Sequence, residues 1–339
     1  MKKSIAIALM VLVLICITSC TNGKNKNETN TNFDEKIELI LDTDVGADCD
    51  DMLALAYIAY AEKNMNVDLK AITCSSSADY GISAIKTFYK DLGMIPPSIG
   101  YASKSMPKYD NYCKQIVEKF GTENEYTKDN DAISVLRQAL VESEKATICA
   151  IGPLSNISAL LNSQPDEISA LDGKTLLKEK CEKIVIMSGK FENQESLTPE
   201  WNTSLDIEAS QNVVNNFPAP VYFVSYELGN SLFTGKAIMD KYQYDNPVSM
   251  AYMLYPGVIE AGGRPSWDPL SVYFAIGDSK EYLKLSQELT VTINDDGRSY
   301  INNEIKSNHY IIYFKDESIK DEISKYFDDC VIALYKSKG

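Results

Sequence analysis

After residue 36, short apolar runs alternate with longer segments in which apolar residues recur at helical spacing. Because this order is typical of βαβ units, it predicts an α/β fold with an open, mostly parallel sheet flanked by helices. We predict strands at 37–42, 67–74, 97–101, 146–151, 183–188 and 221–226, with helices between them. The polar, aromatic-rich stretch at 103–128 interrupts this rhythm, and we interpret it as a surface excursion.

The C-terminal part departs from the alternation of strands and helices. Residues 288–293 and 309–314 alternate apolar and polar positions around a turn at 294–297, which predicts a small antiparallel pair. A helix is predicted over 317–336. Because no internal repeat or boundary divides 37–339, we interpret this range as a single domain.

The N-terminus has the order of a targeting signal. Lys2 and Lys3 precede an apolar run at 4–17, and small residues precede Cys20, an arrangement that resembles a bacterial lipoprotein box. We predict a lipoprotein signal peptide at 1–20, lipidation of Cys20 and a flexible, Asn- and Thr-rich tether at 21–36. A cytosolic chain or a signal anchor is the alternative, but the run of about 14 residues is shorter than the roughly 20 that span a bilayer. We therefore expect an exported bacterial membrane lipoprotein, held by a lipid anchor on the periplasmic or cell-surface side.

Charge and cysteine content limit the kinds of partner. The formal net charge is −15, so nucleic-acid binding through a basic surface is not expected. Beyond the signal, six cysteines are widely spaced without a CxxC pair, and their spacing does not call for disulfides.

The richest cluster of charged side chains follows the first predicted strand. Five aspartates occur between Asp42 and Asp51, at the junction of an apolar strand and an apolar helix. The positive end of a helix dipole partly offsets the repulsion between Asp50 and Asp51. A helix cap together with solvated loop acids would therefore explain two of the five aspartates without a metal. The whole group predicts a site for a hard divalent cation with oxygen ligands. An EF-hand does not fit, because the twelfth position counted from Asp42 is Leu53.

Three further segments place polar groups next to predicted strands or helices. Asp268 lies at the start of an apolar helix, where it is either a helix cap or a metal ligand. The strand-to-helix turn at 151–156 contains Gly and Pro and is either an ordinary tight turn or one that exposes a backbone carbonyl. Glu200 and Asn202, with Asn193 nearby, form a polar loop that suits sugar hydroxyls or simply faces solvent.

In this order, the four segments resemble the inosine-uridine preferring nucleoside hydrolase family. The resemblance runs from about residue 37 to the C-terminus and rests on four motifs. They are Leu41-Asp-Thr-Asp-Val-Gly46 with Asp50-Asp51, Gly152-Pro-Leu-Ser-Asn156, Glu200-Trp-Asn202 followed by Asp206-Ile-Glu-Ala209, and Asp268-Pro-Leu270.

The resemblance implies a bound Ca²⁺ that holds the ribose hydroxyls and the attacking water of a hydrolysis reaction. Asp44 matches a metal-bound carboxylate that also acts as the general base. Asp51, Asp268 and the carbonyl of Ile151 match the remaining metal ligands. Residues that match sugar-binding positions are Asp50, Glu200, Asn202 and, more loosely, Asn193.

The chain departs from the family pattern in three places. Two extra residues precede Asp50, so Asp48 becomes a further candidate for the metal or base role. Trp267 replaces the usual histidine before Asp268, which makes Trp267 a substrate-binding candidate and leaves His309 as the only histidine. Leaving-group protonation is then assigned to Glu227, with two alternatives: a tyrosine, or a substrate whose leaving group needs no such help. The family's asparagine after the second strand is replaced within 75–79.

These features together predict calcium-dependent hydrolysis of the N-ribosidic bond in a nucleoside or related ribosyl compound, a small-molecule substrate. The resemblance also implies a homo-oligomer. The alternatives are a lipid-anchored nucleoside- or sugar-binding protein without catalysis and a haloacid-dehalogenase-like phosphohydrolase. The latter would use the Asp42–Asp44 pair but leaves the later motifs unexplained. A purely structural surface protein gives no reason for the aspartate cluster.

Overall fold

The computed structural model describes residues 36–121, 130–192 and 198–336, and the elements below belong to these ranges. The strands are β1 (Ile37–Thr43), β2 (Val67–Cys74), β3 (Ser98–Gly100), β4 (Ala146–Ala150), β5 (Cys181–Met187), β6 (Val221–Val224), β7 (Phe233–Thr234), β8 (Arg264–Pro265), β9 (Leu283–Leu285), β10 (Thr290–Ile293), β11 (Ser299–Asn302) and β12 (His309–Phe314).

The α-helices are α1 (Asp50–Asn64), α2 (Gly81–Asp91), α3 (Cys113–Phe120), α4 (Ala132–Glu142), α5 (Ser155–Leu161), α6 (Gly173–Lys180), α7 (Trp201–Leu205), α8 (Ile207–Asn216), α9 (Tyr226–Asn230), α10 (Lys236–Tyr242), α11 (Pro247–Leu254), α12 (Val258–Ala261), α13 (Asp268–Ala275) and α14 (Lys320–Lys336). Two 3₁₀ turns lie at Asp278–Glu281 and Glu317–Ile319.

The central sheet of the described chain has the strand order β3-β2-β1-β4-β5-β6-β12-β9. Every neighbouring pair from β3 to β12 is parallel, and β9 joins the edge antiparallel to β12. Two short antiparallel pairs, β7–β8 and β10–β11, lie outside it. The predicted fold class, an open and mostly parallel α/β sheet, is confirmed.

Strand β1 shows why the sheet is buried on both faces. Leu39 and Leu41 belong to one apolar core, whereas Ile40 belongs to the other, because successive side chains of a strand point to opposite faces. Parallel sheets covered by helices on both sides therefore have continuous apolar strands rather than alternating ones. Helix α1 packs against α13 and α14 on the first face.

The predicted antiparallel pair near the C-terminus is present, but one of its strands was assigned wrongly. Strand β10 pairs with β11 across the predicted turn. The segment expected as its partner, β12, instead lies in the central sheet parallel to β6, and only a single antiparallel bridge joins Leu289 to His309. Alternation of apolar residues identified both strands without identifying their partners.

The interpretation of 103–128 as a surface excursion was wrong for its central part. Tyr112 and Cys113 are fully buried, and α3 packs against α2 and α11. Residues 122–129 lie outside the described ranges.

One buried charge away from the acidic loop between β1 and α1 lies on α4. Arg137 is fully buried, and its Nη1 donates to Ser163 Oγ at 2.9 Å. Nη2 donates to Asp166 Oδ1 and to the carbonyls of Ser169 and Leu171, at 2.9–3.0 Å. Nε lies 2.7 Å from Asp166 Oδ2. We call this group of residues the Arg137 site.

Six cysteines lie in the described ranges, and each is buried with a free thiol. They are Cys49, Cys74, Cys113, Cys149, Cys181 and Cys330.

The predicted signal peptide at 1–20, including Cys20, and all but the last residue of the predicted tether at 21–36 lie outside the described residues. The first strand begins at Ile37, and 34–339 group as one compact unit. Across the described ranges, no helix combines the length and apolar character needed to cross a bilayer.

Candidate functional site

A pocket of about 430 Å³ lies beyond the carboxyl ends of the central strands. This is the edge at which open parallel sheets bind ligands, since the loops that follow neighbouring strands converge there. Three adjacent strands end at the pocket: β1 is followed by the acidic loop, β4 is followed by Ile151, and β5 ends at Met187. The lining residues are Asp44, Ala47, Asp48, Asp50, Tyr109, Asn111, Ile151, Met187, Glu200, Trp201, Asn202, Tyr226, Tyr255, Arg264, Trp267 and Asp268. We call this the aspartate pocket.

The acidic loop between β1 and α1 is held in place by residues that precede α3. Gly46 has φ +103°, and a Cβ there would lie 2.6 Å from the carbonyl oxygen of Tyr109, so only glycine fits. Tyr112 Oη accepts from the Gly46 amide at 2.8 Å and donates to the carbonyl of Asp48 at 2.6 Å. Asn111 Nδ2 donates to the carbonyls of Gly46 and Ala47. These contacts fix the backbone that carries the aspartates.

Five aspartates in or near this loop are almost completely buried, and four of them, Asp44, Asp50, Asp51 and Asp268, lie at the pocket. Burial first, and then the charge of Asp48, raises the pKa of Asp44 to about 8. Burial, followed by the charges of neighbouring aspartates, also raises the pKa values of Asp50, Asp51 and Asp268 well above their usual range. Like charges in a desolvated site disfavour ionisation of one another. The four carboxyl groups therefore form a single electrostatic unit without enough opposing charge.

Asp51 carries an unpaired oxygen in this unit. Thr43 Oγ1 donates to Asp51 Oδ1, but the buried Oδ2 has no hydrogen-bond partner. Since a buried carboxylate oxygen without a partner is costly, a cation is its natural complement.

Asp50 connects the acidic loop to the helix that starts with Asp268. Its Oδ2 accepts hydrogen bonds from the backbone amides of Trp267 and Asp268, at 2.9 and 3.2 Å. This carboxylate thus caps α13 and brings Asp268 to the side of the first aspartates, although more than 200 residues separate them.

The Gly-Pro-Leu-Ser-Asn segment after β4 supports the aspartates from beneath. A Cβ on Gly152 would lie 2.9 Å from Asp44 Oδ1 and 2.5 Å from Ser75 Oγ, so glycine allows Asp44 to occupy its position. Asn156 Nδ2 donates to Asp42 Oδ1 at 2.8 Å and to the carbonyl of Cys74 at 2.9 Å. Burial raises the pKa of Asp42 to about 7.

Glu200 and Asn202 form the wall of the pocket next to Ile151. Both oxygens of Glu200 accept backbone hydrogen bonds from Asn202 and Thr203 at 2.9 Å, so this carboxylate caps α7. Asn202 Nδ2 donates to the carbonyl of Ile151 at 3.0 Å and to that of Met187 at 3.2 Å. The Ile151 carbonyl retains a second lone pair for another partner.

Arg264, on β8, is the single cation among the pocket-lining residues, which include five carboxylates. Its Nε donates to Asp48 at 3.0 Å, and Nη2 forms a second short contact to the same carboxylate. The guanidinium carbon lies 4.9 Å from the ring centroid of Tyr255 and 5.3 Å from that of Trp267. Trp267 in turn stacks on Tyr226 at a centroid distance of 5.8 Å.

Most residues singled out in the sequence meet in this pocket. Those that line it are Asp44, Asp48, Asp50, Ile151, Glu200, Asn202, Trp267 and Asp268, and Asp51 lies buried beneath them. Asn193 falls outside the described residues.

Two predicted roles are not supported by the positions of the side chains. Glu227 does not line the pocket, and its Oε1 accepts from the backbone amides of Phe191 and Glu192. Asp48 directs its carboxylate to Arg264 rather than to a shared cation position. His309 is buried in β12 and accepts from the Val291 amide through Nδ1, so it supplies no imidazole acid to the pocket.

Sequence reasoning missed Asn111, Tyr112, Tyr255 and Arg264. The first two lie in the segment taken for a surface excursion, and their Asn-Tyr pair gave no recognisable signal. Arg264 follows two glycines and stands three residues before Trp267, a position that a search for carboxylates passes over.

The donor set fits a hard cation, although no complete ligand cage is formed. Asp44, Asp51, Asp268 and the Ile151 carbonyl offer only oxygen, which suits calcium. In the described ranges, no group of three or more His, Cys, Asp or Glu side chains has the arrangement of a metal site. The unpaired Asp51 Oδ2 and the raised pKa values are the observations that favour a cation here.

Solved structures with this fold include two nucleoside hydrolases and an effector protein. An inosine-uridine preferring nucleoside hydrolase from Bacillus anthracis is 18% identical, with a TM-score of 0.64 over 89% of this chain and 100% of that one. An inosine-guanosine nucleoside hydrolase is 19% identical, with a TM-score of 0.61 over 87% and 99%. The type III effector XopQ, solved with adenosine diphosphate ribose, is 15% identical, with a TM-score of 0.59 over 88% and 93%. At these identities the likeness establishes the fold.

Sequence comparison adds a curated relative and a family. An uncharacterized protein of Schizosaccharomyces pombe is 29% identical over 164 residues, which are 44% of this chain and about half (49%) of that relative's length. The family model of the inosine-uridine preferring nucleoside hydrolases matches residues 39–317. Since this match spans most of the chain, the protein belongs to the inosine-uridine preferring nucleoside hydrolase family.

Proposed function

We propose that the protein hydrolyses the N-ribosidic bond of a nucleoside or a related small ribosyl compound, with Ca²⁺ bound in the aspartate pocket. The observation that carries this proposal is the convergence of Asp44, Asp50, Asp51 and Asp268 at the carboxyl edge of the sheet, where Asp51 Oδ2 has no partner. A pocket of about 430 Å³ beside them has the size of a small-molecule site.

Asp44, Asp51, Asp268 and the carbonyl of Ile151 would hold the cation. Bound Ca²⁺ would supply the positive charge that keeps these carboxylates ionised and would bind hydroxyl oxygens of the sugar. Asp48 is not included, because Arg264 already neutralises it.

The chain's own residues can perform the remaining steps. Asp44 accepts the proton of a water that attacks the anomeric carbon. As the bond to the base breaks, positive charge develops on the ribosyl ring, and the carboxylates of Asp50 and Glu200 stabilise it electrostatically. Asn202 positions the Ile151 carbonyl and, from the same wall, the sugar. Trp267 and Tyr226 offer stacked aromatic surface to a planar base.

Release of the free base from a panel of ribosyl compounds tests this proposal. The purified chain would be assayed with purine and pyrimidine nucleosides and with adenosine diphosphate ribose, in Ca²⁺ and in chelator. The panel includes the last compound because XopQ was solved with it. We expect calcium-dependent release that Asp44→Asn abolishes and that Asp316→Asn, at an exposed helix cap, leaves unchanged.

The second candidate is a binding protein without catalysis, which the replacement of the family histidine by Trp267 favours. Calcium-dependent ligand binding with no release from any compound in the panel would select it. Family membership argues against the haloacid-dehalogenase-like alternative, because the matched region contains all four motifs.

We further propose that Cys20 anchors the exported chain to a bacterial membrane through a lipid, on the periplasmic or cell-surface side. The support is the basic, apolar and small-residue order of 1–20. Labelled fatty acid should be incorporated into the wild-type chain and not into Cys20→Ala. A homo-oligomer, proposed from the family resemblance, would be measured by light scattering on the purified protein.

A further inference from the structure

Arg264 is a fixed cation in a pocket that otherwise carries negative charge. Its side chain is 29% exposed, and Nε and Nη2 both bind Asp48. Nη1 has no hydrogen-bond partner among the described residues, so one nitrogen of the guanidinium is available to a ligand.

The surroundings of Arg264 keep it charged and oriented. Burial would lower the pKa of Arg264, but the hydrogen bonds and charge of Asp48 raise it above its usual value. The rings of Tyr255 and Trp267 lie within about 5 Å of the guanidinium carbon, which fixes its plane. A guanidinium held in this way donates hydrogen bonds but does not give up a proton.

The environment of Arg264 is also distinct from that of the sugar-binding carboxylates. Two aromatic rings flank the cation, and Trp267 extends this surface to Tyr226. Flat apolar faces around one charged donor suit the heteroaromatic half of a nucleoside, whereas the carboxylates and Asn202 suit its hydroxyl-bearing half. No histidine lines the pocket, and the carboxylate of Glu227 lies elsewhere.

We propose that Arg264 is the residue that stabilises the leaving group. This inference rests on the proposed hydrolysis and adds the group that acts on the base. The oxygen of water forms a bond to the anomeric carbon, and its proton goes to Asp44. The electron pair of the N-ribosidic bond stays with the base, which departs as an anion hydrogen-bonded to Arg264 Nη1. The base then takes a proton from solvent, so no acid of the protein is consumed.

The test compares substrates that differ in how much help the leaving group needs. Wild type, Arg264→Gln and Arg264→Lys would be assayed with inosine, uridine and 4-nitrophenyl β-D-ribofuranoside, whose nitrophenolate leaves unaided. We expect Arg264→Gln to lower kcat on the nucleosides by about 10²–10³-fold, the usual effect of removing one preorganised donor. The same variant should change kcat on the nitrophenyl riboside less than about fivefold, and Arg264→Lys should recover part of the nucleoside activity. Wild-type kcat on nucleosides should stay level from about pH 7 to 9.5, because no general acid is lost.

Arg298→Gln is the matched control. Arg298 also pairs with an aspartate, Asp296, and lies 5.9 Å from the ring of Tyr300, but it is outside the pocket. Its replacement should leave all three activities unchanged.

The outcomes separate the two proposals. If the wild type releases product neither from these three substrates nor from any other ribosyl compound of the panel, the hydrolase function is wrong and the role of Arg264 is wrong with it. If the wild type cleaves only the nitrophenyl riboside, hydrolysis stands and leaving-group stabilisation by Arg264 is overturned. The same holds if Arg264→Gln loses activity equally on both kinds of substrate or on neither.

Discussion

The aspartate pocket and the Arg137 site both bury charge, but the partners that surround the buried charge differ. Arg137 is fully buried, and its nitrogens contact a carboxylate, a hydroxyl and two carbonyls. Its Nε makes no hydrogen bond but lies 2.7 Å from Asp166 Oδ2, so the guanidinium has an opposing charge. In the pocket, burial and then the charges of nearby carboxylates raise the pKa values of Asp44, Asp50, Asp51 and Asp268, and one buried oxygen of Asp51 has no partner. The chain thus supplies its own opposing charge where a buried charge serves the fold. The incomplete satisfaction in the pocket indicates a complement that comes from outside the chain.

The largest expected effect is on turnover in the aspartate pocket. Asp44→Asn should lower kcat by about 10²–10⁴-fold, because it removes the proposed general base. Its free energy of unfolding in chelator should stay the same or rise, since one of several like charges is gone. Ribose release and urea denaturation measure the two quantities. Retention of more than a tenth of the activity would contradict the assignment of Asp44.

The reverse pattern is expected at the Arg137 site. Arg137→Met should lower the free energy of unfolding by about 1–3 kcal/mol, because the Ser163 hydroxyl and the carbonyls of Ser169 and Leu171 lose their donor, whereas Asp166 is partly exposed to water. The kcat of the folded fraction should remain within about twofold of wild type, as the site does not line the pocket. Urea denaturation with active-site titration measures both.

Arg298→Met provides the control for the Arg137 prediction, because its pair with Asp296 is at the surface. Such pairs contribute about 0–1 kcal/mol. A loss at Arg137 no larger than this would remove the contrast between the two regions.

Calcium should raise the free energy of unfolding by binding in the aspartate pocket, and this effect should not depend on the Arg137 site. At 100 times its dissociation constant, Ca²⁺ should raise the free energy of unfolding by about 2.7 kcal/mol. Asp51→Asn or Asp268→Asn should abolish this increment, and Arg137→Met should keep it. Denaturation curves with Ca²⁺ and with chelator decide the matter. An unchanged increment in Asp51→Asn would place the cation elsewhere.

The two regions should also give opposite dependences on pH. Burial raises the pKa of Asp44 from 3.8 to about 8 and that of Asp42 to about 7, so the folded chain binds more protons than the unfolded one between these values. Stability in chelator should therefore fall as pH rises from about 4 to 8. The hydrogen bond from Arg137 lowers the pKa of Asp166, whose contribution is present at neutral pH and lost only in acid. Midpoints of urea denaturation measured across pH test this dependence. If Asp44→Asn leaves the slope of stability against pH unchanged, Asp44 is not the source of the dependence.

The smallest expected effect concerns Glu227. Glu227→Gln keeps an acceptor for the amides of Phe191 and Glu192, so kcat should remain within about twofold of wild type. A loss of tenfold or more, with a change in the alkaline limb of the pH profile, would restore Glu227 as the leaving-group acid in place of Arg264.

The sequence predicted the central sheet well, because parallel strands buried on both faces are continuous apolar runs that stand out from helices. It could not predict the pairing of β12, since the alternation of apolar and polar residues marks a strand without indicating which strands lie beside it. Helices α3 and α6 were missed, because their few apolar residues lie within polar stretches.

Motifs with several acids could be located in the sequence, whereas their partners could not. The positions of Asp44, Asp51 and Asp268 are marked by carboxylates at strand and helix ends. Contacts such as Asn111 with the loop carbonyls, or Arg264 with Asp48, join residues far apart in the chain through single side chains. Nothing in their local sequence distinguishes them from ordinary surface residues.

Because all six free thiols of the described chain are buried, their chemical reactivity reports local opening of the fold. Cys49, Cys74 and Cys113 lie in the segments around the acidic loop, whereas Cys330 lies in α14. A maleimide can react with each thiol only when that part of the chain opens, so labelling rates read by mass spectrometry give a map of local unfolding. Ligands of the aspartate pocket should slow the labelling of the first three cysteines and leave Cys330 unaffected. A binding partner could thus be sought by protection from alkylation, without knowing the reaction that it undergoes.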